Sequence, residues 1–166
     1  MIYQLGVLAL FPIAMGFAAM TDALSYKISN WVSLILVVGF IALVPFSGLD
    51  LNQILFHVGL AFIVLVIGFL MFVKGWLGGG DSKIIAAVAL WLGPDHLALF
   101  LVLVGIFGGI LSVLFLMVRK FPLPPFLAGQ KWLVNWQCGT GDIPYGIAIG
   151  AAALITYPYT HWLGLS

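Results

Sequence analysis

The amino-acid sequence predicts an all-α integral membrane protein with about six transmembrane helices. Of its 166 residues, 64% are hydrophobic and 7% are charged, whereas soluble domains average roughly 25% charged residues. The apolar residues fall into six runs separated by short polar segments, and all the lysines and arginines lie in alternate connections between those runs. We therefore expect one transmembrane domain that covers residues 1–166.

Each apolar run is interpreted as one predicted span. A helix needs about 20 apolar residues to cross the hydrocarbon core of a bilayer, and most of the runs approach this length. No lysine or arginine precedes the first run, so it lacks the basic region of a cleavable signal peptide and is predicted to be a permanent span. The runs are, in order, residues 2–20, 31–46, 54–73, 84–92, 97–118 and 143–162.

The fourth run is unusually short and predicts a helix that begins inside the membrane. At about 1.5 Å per residue, residues 82–92 cover only roughly half of a hydrocarbon core that is about 30 Å thick. One resolution is that residues 75–80 dip inward, so that Asp81 begins its helix below the headgroups. Irregular backbone at that depth is tolerated only where protein or a water-filled cavity surrounds it. Asp22 lies five residues before Lys27 and is predicted to be sunk similarly, so that both carboxylates share one wet pocket.

The basic residues predict the orientation of the chain. The connections after the first, third and fifth runs contain every lysine and arginine of the sequence: Lys27, Lys74, Lys83, Arg119, Lys120 and Lys131. Cationic loops stay in the cytoplasm, so these connections are predicted to be cytoplasmic and both termini to lie outside the cytoplasm. Asp22, Asp81 and Asp142 then fall on the cytoplasmic side.

The candidate chemistry rests on aspartate. The sequence has no glutamate, and Asp81 directly follows Gly78, Gly79 and Gly80 between two apolar runs. An ionisable residue at membrane depth is a functional-site hypothesis by default, although Asp81 could also be a helix N-cap and the glycines a turn. Two aspartates in one partly desolvated pocket form an acid/base pair, in which one keeps a proton while the other activates water. Such a pair hydrolyses amides without a metal or a covalent nucleophile, and no cofactor is expected.

Two motifs carry a resemblance to a known family. Asp22 followed by Lys27-Ile28-Ser29-Asn30, together with Gly78-Gly79-Gly80-Asp81-Ser82-Lys83, resembles the two signatures of type IV prepilin peptidases, which are intramembrane aspartyl peptidases with a GxGD motif. Pro144-Tyr145-Gly146 is similar to the Pro-Tyr-Gly element of that family. The resemblance implies catalytic roles for Asp22 and Asp81. It implies supporting roles for Gly78, Gly80, Lys83, Lys27, Asn30, Pro144, Tyr145 and Gly146.

The resemblance also implies a substrate and a location. The protein would remove the cytoplasmic leader peptide from membrane-inserted prepilins at the cytoplasmic face of the bacterial inner membrane, with lipid as its other partner and no nucleic acid. Its size resembles the minimal members of tight-adherence (Flp-type) pilus systems. Larger members carry a cytoplasmic domain with paired cysteines and also N-methylate the trimmed pilin. Here Cys138 is the only cysteine and a bare span precedes Asp22, so we do not expect N-methyltransferase activity.

A second GxGD sequence, Gly139-Thr140-Gly141-Asp142, competes with the first. Asp142 is predicted to cap the sixth helix, with Pro144 in its first turn, which explains this motif without chemistry. Lys83 follows Asp81 at the family spacing, whereas Asp142 is followed by Ile-Pro-Tyr. The sixth run also has full length, which would leave Asp142 nearer the surface. These observations favour Asp81 as the catalytic residue.

Two alternative interpretations use the same residues or their neighbours. A small proton- or cation-coupled transporter subunit would also need buried aspartates, but transport sites lie near the midplane between broken helices. The three histidines, His57, His96 and His161, fall on the side opposite the aspartate pair and in separate segments. A metal site built from them would require chance convergence, so interfacial histidines are the simpler prediction.

Overall fold

The computed structural model describes residues 2–120 and 143–163, and every regular element in these residues is helical. The helices are α1 (Ile2–Ser25), α2 (Asn30–Leu43), α3 (Leu51–Val73), α4 (Gly79–Lys120) and α5 (Tyr145–Thr156), with 3-10 turns at Val44–Phe46 and Tyr157–Tyr159. The stretches Gly6–Ser25, Leu51–Val73 and Gly79–Met117 are long and apolar enough to cross a membrane. The predicted class, an all-helical membrane protein, agrees with this structure.

Helix α4 is two helical arms joined at one residue. Gly93 has φ 69° and ψ −174°, which no helix accommodates, and Pro94 resumes the helix directly. The N-terminal arm (residues 79–92) and the C-terminal arm (residues 94–120) correspond to the fourth and fifth predicted runs. The fourth and fifth runs, residues 84–92 and 97–118, predict a four-residue connection at 93–96, and this prediction is wrong. Glycine alone adopts that backbone conformation easily, so a single residue reverses the chain.

The helical segments run alternately between two ends of the bundle. At one end, the aspartate end, Ile28 before α2 and Phe72 of α3 contact the first residues of α4, Gly80 and Gly79. At the other, the histidine end, Tyr157 donates a 2.8 Å hydrogen bond to the carbonyl of Val7. The C-terminal arm of α4 returns to the aspartate end, where Gly108 packs against Tyr145 at the start of α5. The alternation matches the predicted order of runs, and the crossing of a membrane by all six segments remains a prediction.

Buried aromatic side chains fill the half of the bundle nearer the histidine end. Trp91 is fully buried, and its indole N–H donates to the carbonyl of Leu36 at 2.9 Å. Trp162 donates in turn to the carbonyl of Trp91 at 2.8 Å, and Phe11 stacks on Tyr157 with ring centroids 4.2 Å apart. Because buried indole N–H groups need a partner, these bonds fix α2, α4 and the segment after α5 to one another.

Helix α3 lies at the periphery and docks mainly onto α4. Its buried residues are His57 and Gly68, while large apolar side chains such as Phe62, Ile63 and Phe69 are more than half exposed. At Gly68 the missing side chain lets Ser82 approach, and Ser82 Oγ donates to the Gly68 carbonyl at 2.9 Å. A helix with so wide an exposed apolar face is suited to lipid contact.

The sixth span was predicted as a continuous helix over residues 143–162, and this prediction is wrong. Helix α5 covers only Tyr145–Thr156, and a 3-10 turn containing Pro158 follows it. Proline at this position has no N–H to donate and clashes with the preceding turn, so the α-helix ends there. Pro144 occupies the N-cap position, whereas the sequence predicted it in the first turn of the helix. Asp142 itself lies outside the described residues, and the argument from full span length no longer applies to it.

Replacing Gly93 by alanine is expected to destabilise the fold. A Cβ at this position would meet the ring of His57, which is held by a hydrogen bond to the Leu90 carbonyl, and the backbone conformation is one that other residues adopt at a cost of about 1–3 kcal/mol. We therefore expect Gly93→Ala to lower the free energy of unfolding by at least that amount. Thermal unfolding in detergent would measure it.

The matched control is Gly105→Ala on the same helix, where a Cβ has open space. This change should leave the melting temperature unchanged or raise it slightly, because alanine favours a helix over glycine by roughly 0.5–1 kcal/mol. Equal stability of the Gly93→Ala and Gly105→Ala proteins would contradict the role assigned to Gly93.

Candidate active site

Asp22 lies in the last turn of α1 and is buried, with 5% of its surface exposed. Its Oδ2 accepts a 2.6 Å hydrogen bond from the backbone N–H of Gly146 in the first turn of α5. Helix α1 ends three residues later, where Tyr26 adopts a left-handed φ of 55° and the chain turns toward α2. A buried carboxylate needs hydrogen-bond donors, and here the donor comes from the far end of the sequence.

Asp81 lies in the first turn of α4, directly after the glycine stretch. Its carboxylate accepts the backbone N–H of Gly78, the residue before the helix. A Cβ on Gly78 would lie 2.6 Å from Asp81 Oδ2, so only glycine fits beside the carboxylate there. The unpaired N–H groups and positive dipole end of a helix N-terminus stabilise a negative charge at this position.

The two carboxylates line one cavity at the aspartate end. The cavity has a volume of about 600 Å³. Besides Asp22 and Asp81, it is lined by three segments that flank the helix ends: Tyr26, Lys27 and Ile28 after α1; Gly75, Trp76, Gly78, Gly79 and Gly80 before and within the first turn of α4; and Ile143 and Tyr145 at the start of α5. The site is thus formed by helix ends and by the connections next to them, and it lies at one end of the bundle.

Two glycines keep the helices around the cavity close together. A Cβ on Gly146 would lie 2.8 Å from both Cβ and Oδ2 of Asp22 and 3.0 Å from the side chain of Ile28. A Cβ on Gly80 would lie 3.2 Å from Cβ of Ile28. Ile28 therefore sits between the first turns of α4 and α5, and the absence of side chains at Gly80 and Gly146 makes room for it.

Polar contacts beside the cavity tie α4 to its neighbours. Lys83 Nζ donates a 2.9 Å hydrogen bond to Oδ1 of Asn30, the first residue of α2. The hydroxyls of Tyr145 and Ser112 are 3.2 Å apart and connect α5 to the C-terminal arm of α4. Pro144 is buried at the N-cap of α5 and lies two residues before Gly146, whose N–H reaches Asp22.

A family model described as the type IV leader peptidase family matches residues 9–113, which include both aspartates. The chain belongs to the type IV leader peptidase family. The predicted resemblance is therefore confirmed, and the role of this family is prepilin leader removal. Pro144, Tyr145 and Gly146 lie beyond the matched residues. No curated protein and no solved structure matches the chain significantly.

In this leader peptidase, the residues singled out from the motifs occupy three kinds of position. The cavity is lined by Asp22, Asp81, Gly78, Gly80, Lys27 and Tyr145. Gly146 bonds to Asp22, and Lys83 bonds to Asn30. Pro144 begins α5. The cavity is also lined by residues that were not selected from the sequence: Tyr26, Ile28, Gly75, Trp76, Gly79 and Ile143. Ile28 and Gly79 lie inside the two motifs, whereas the other four carry no motif signal.

At the histidine end of the leader peptidase, two histidines meet that the sequence suggested would be apart. The rings of His57 and His161 pack edge to face with centroids 5.8 Å apart, and His57 Nδ1 donates to the Leu90 carbonyl at 2.8 Å. Because α3 docks along α4, it brings His57 to the segment after α5. Within residues 2–120 and 143–163, no three His, Cys, Asp or Glu side chains are grouped to hold a metal.

Proposed function

We propose that this leader peptidase is an intramembrane aspartic endopeptidase that removes the cytoplasmic leader from type IV or Flp-type prepilins. The observation that carries the proposal is the shared cavity. Asp22 and Asp81 come from helices α1 and α4, yet both line one pocket at the helix ends. In a chain of a leader peptidase family, two carboxylates in one pocket supply the acid and the base that amide hydrolysis requires.

Hydrolysis between the two aspartates needs no further group. An ionised carboxylate takes a proton from a water molecule as the water oxygen attacks the carbonyl carbon of the scissile peptide bond. The protonated carboxyl of the partner donates its proton to the carbonyl oxygen. The tetrahedral intermediate then collapses and the C–N bond breaks. The departing amine takes a proton from the carboxyl that had received one from water, and the partner carboxylate regains a proton from a hydroxyl of the intermediate, which becomes the carboxylic acid product. Each carboxyl changes protonation state during the cycle, and the pair returns to its starting state.

The backbone N–H groups around the cavity position this chemistry. Gly146 donates to Asp22 and Gly78 donates to Asp81. Among the described residues each carboxylate thus has one hydrogen-bond donor, and its other oxygen is proposed to face water or substrate. Preorganised groups of this kind add no reorganisation cost when the reaction occurs. The hydrogen bonds place the pair, and the free oxygens do the proton transfer.

The distribution of charge supports a cytoplasmic site in a bacterial inner membrane. In the described part of the chain, all basic residues lie at the aspartate end: Lys27, Lys74, Lys83, Arg119 and Lys120. The histidine end holds Asp50, Asp95 and the histidines. Since basic residues mark the cytoplasmic side, the cavity would face the compartment in which a prepilin leader stays. Lys131 lies outside the described residues.

The position of the cavity favours a peptidase over the transporter subunit considered above. Coupled transporters bind their substrates near the bilayer midplane, between discontinuous helices. Here the break in α4 is at Gly93, in the half of the bundle that holds His57, whereas the aspartates lie at the opposite end. The break in α4 and the two carboxylates therefore lie in different halves of the bundle and do not form one site. Residues 1–166 are proposed to form one transmembrane peptidase domain.

Cleavage of a membrane-borne precursor tests the proposal. The purified protein, reconstituted in vesicles, should shorten a full-length prepilin at its leader, as mass spectrometry of the product would show. In residues 2–120 and 143–163, the chain has little mass outside its helices with which to bind a soluble substrate. A precursor without its hydrophobic segment should therefore be processed at least about tenfold more slowly, equivalent to about 1.4 kcal/mol of binding. Equal processing of both precursors would contradict membrane-borne recognition, and the absence of product from either would contradict peptidase activity.

A further inference from the structure

A second concave surface lies between α2 and α3, and it has no role in the chemistry above. Both helices pack on α4 and meet each other where Phe40 of α2 stacks on His57 of α3. A groove of about 530 Å³ lies between them. Its floor is formed by Ala86, Ala87 and Leu90 on the N-terminal arm of α4, all of which are buried. Its walls are apolar side chains of α2 and α3, such as Val37 and Val58.

The groove has the dimensions and chemistry of a seat for one helix. Its lining spans residues 33–44 on α2 and residues 54–65 on α3, or about 16 Å of helix at about 1.5 Å per residue. The floor carries alanines at adjacent positions, and small residues let another helix approach closely within a membrane. Polar side chains occur only at the aspartate end of the groove, at Ser33 and Lys83.

The aspartate end of the groove points toward the candidate active site, although the groove and the cavity share no lining residue. The α2 wall of the groove is preceded by the loop that contributes Lys27 and Ile28 to the cavity, and its α3 wall is followed by the loop that contributes Gly75 and Trp76. Its floor is the helix arm that begins with Asp81. A chain that leaves the groove at the aspartate end is therefore directed toward the two loops that line the cavity.

We propose that the α2–α3 groove holds the membrane-spanning helix of the prepilin substrate, an inference that rests on the proposed function. A membrane-inserted precursor consists of an apolar helix joined to a polar leader at the cytoplasmic side. With its helix in the groove, the residues before that helix extend over Gly80 and Ile28 toward Asp22 and Asp81. A peptide bond must be unwound and extended to reach both carboxylates, and this path places the bond beyond the end of the seated helix. The groove thus sets which bond is cut.

A second apolar groove, between α1 and α2, competes for the same role. It is smaller, about 400 Å³, and is lined by α1 and α2 residues such as Ile13, Phe17 and Ile35. No residue of α4 lines it, so a helix seated there would not lie on the arm that carries Asp81. This difference favours the α2–α3 groove.

Photo-crosslinking from single positions tests the groove. The crosslinking residue p-benzoylphenylalanine would replace Val58 in the α2–α3 groove, Ile63 on the other side of α3, or Ile35 in the α1–α2 groove, three side chains of similar exposure. In vesicles containing full-length prepilin, we expect an adduct with the hydrophobic segment of the precursor from position 58, at least about tenfold above the yield from positions 63 and 35. Adducts from position 58 with lipid alone or with a second copy of the enzyme, or a higher yield from position 35, would overturn the proposal.

A filled groove gives an independent measurement. The change Val58→Trp should raise KM for full-length prepilin at least about fivefold and leave kcat unchanged, because the groove contributes binding and no chemistry. Ile63→Trp should change neither parameter. Equal KM values in the two variants would overturn the groove.

The unsubstituted protein separates the two hypotheses. Cleavage with no adduct from position 58 refutes the groove and leaves the peptidase proposal standing. An adduct from position 58 without any cleavage supports the docking of the precursor in the groove and refutes the peptidase proposal.

Discussion

Asparagine at either Asp22 or Asp81 should reduce leader removal by about 10²–10⁴-fold or more, the usual range for loss of a general acid or base. Asparagine preserves the size of the side chain and its ability to accept the N–H of Gly146 or Gly78, but it cannot exchange a proton with water or substrate. We therefore expect both variants to fold and to bind prepilin with little change. Initial rates of cleavage and thermal unfolding of the same preparations would show the separation.

The control for this pair is Asp95→Asn, which alters an exposed aspartate after the break in α4, at the other end of the bundle. Its activity and stability should equal those of the unsubstituted protein. Because the two carboxyls act as a unit, the double variant should be no less active than the worse single variant. Substantial turnover by either single variant would refute the aspartate pair.

Gly146→Ala should also inactivate the enzyme, although Gly146 has no functional side chain. The added Cβ would lie 2.8 Å from Asp22 Oδ2, so the carboxylate or the start of α5 must shift. Displacement of a reacting group by about 1 Å can cost about 100-fold in rate, and we expect a loss of that order in kcat. The measurement is the cleavage rate at saturating prepilin.

Gly150→Ala is a matched control one turn along the same helix. Its Cβ would also press against α1, at 3.1 Å from the side chain of Ala19, but away from Asp22. This change tests whether closer packing of α1 and α5 is harmful by itself. We expect a lower melting temperature with kcat largely retained. Equal loss of kcat in the two variants would assign Gly146 a packing role rather than a role in placing Asp22.

Much of the fold could be predicted from two properties of the sequence. Apolar run length and the placement of Lys27, Lys74 and Arg119 predict helices that alternate in direction, and the structure shows that alternation. The glycines before Asp81 predict a close approach at the start of α4, and Gly78 and Gly80 both make one. These features are local, because each depends on residues close together in the chain.

The features that could not be predicted depend on contacts between distant segments. Hydropathy places a break near Gly93 but does not show that one residue with φ 69° completes the reversal. Hydropathy also overestimates the length of the last helix. Tyr157 and Trp162 count as part of the apolar run, but they lie beyond the helix end and act as hydrogen-bond donors there. The meeting of His57 with His161 depends on how α3 docks, and no motif encodes that.

The hydrogen bond between Gly146 and Asp22 joins residues 124 positions apart, and this separation has a consequence for biosynthesis. Helix α1 enters the membrane early in translation, whereas the donor that orients its carboxylate arrives only when α5 is inserted. Until then Asp22 lacks that partner, and the cavity lacks its wall at Ile143 and Tyr145. We therefore expect a chain stalled before α5 to be proteolytically inert. Because α5 is synthesised last, the active site would be completed last, and a partly synthesised protease would not cleave neighbouring nascent proteins.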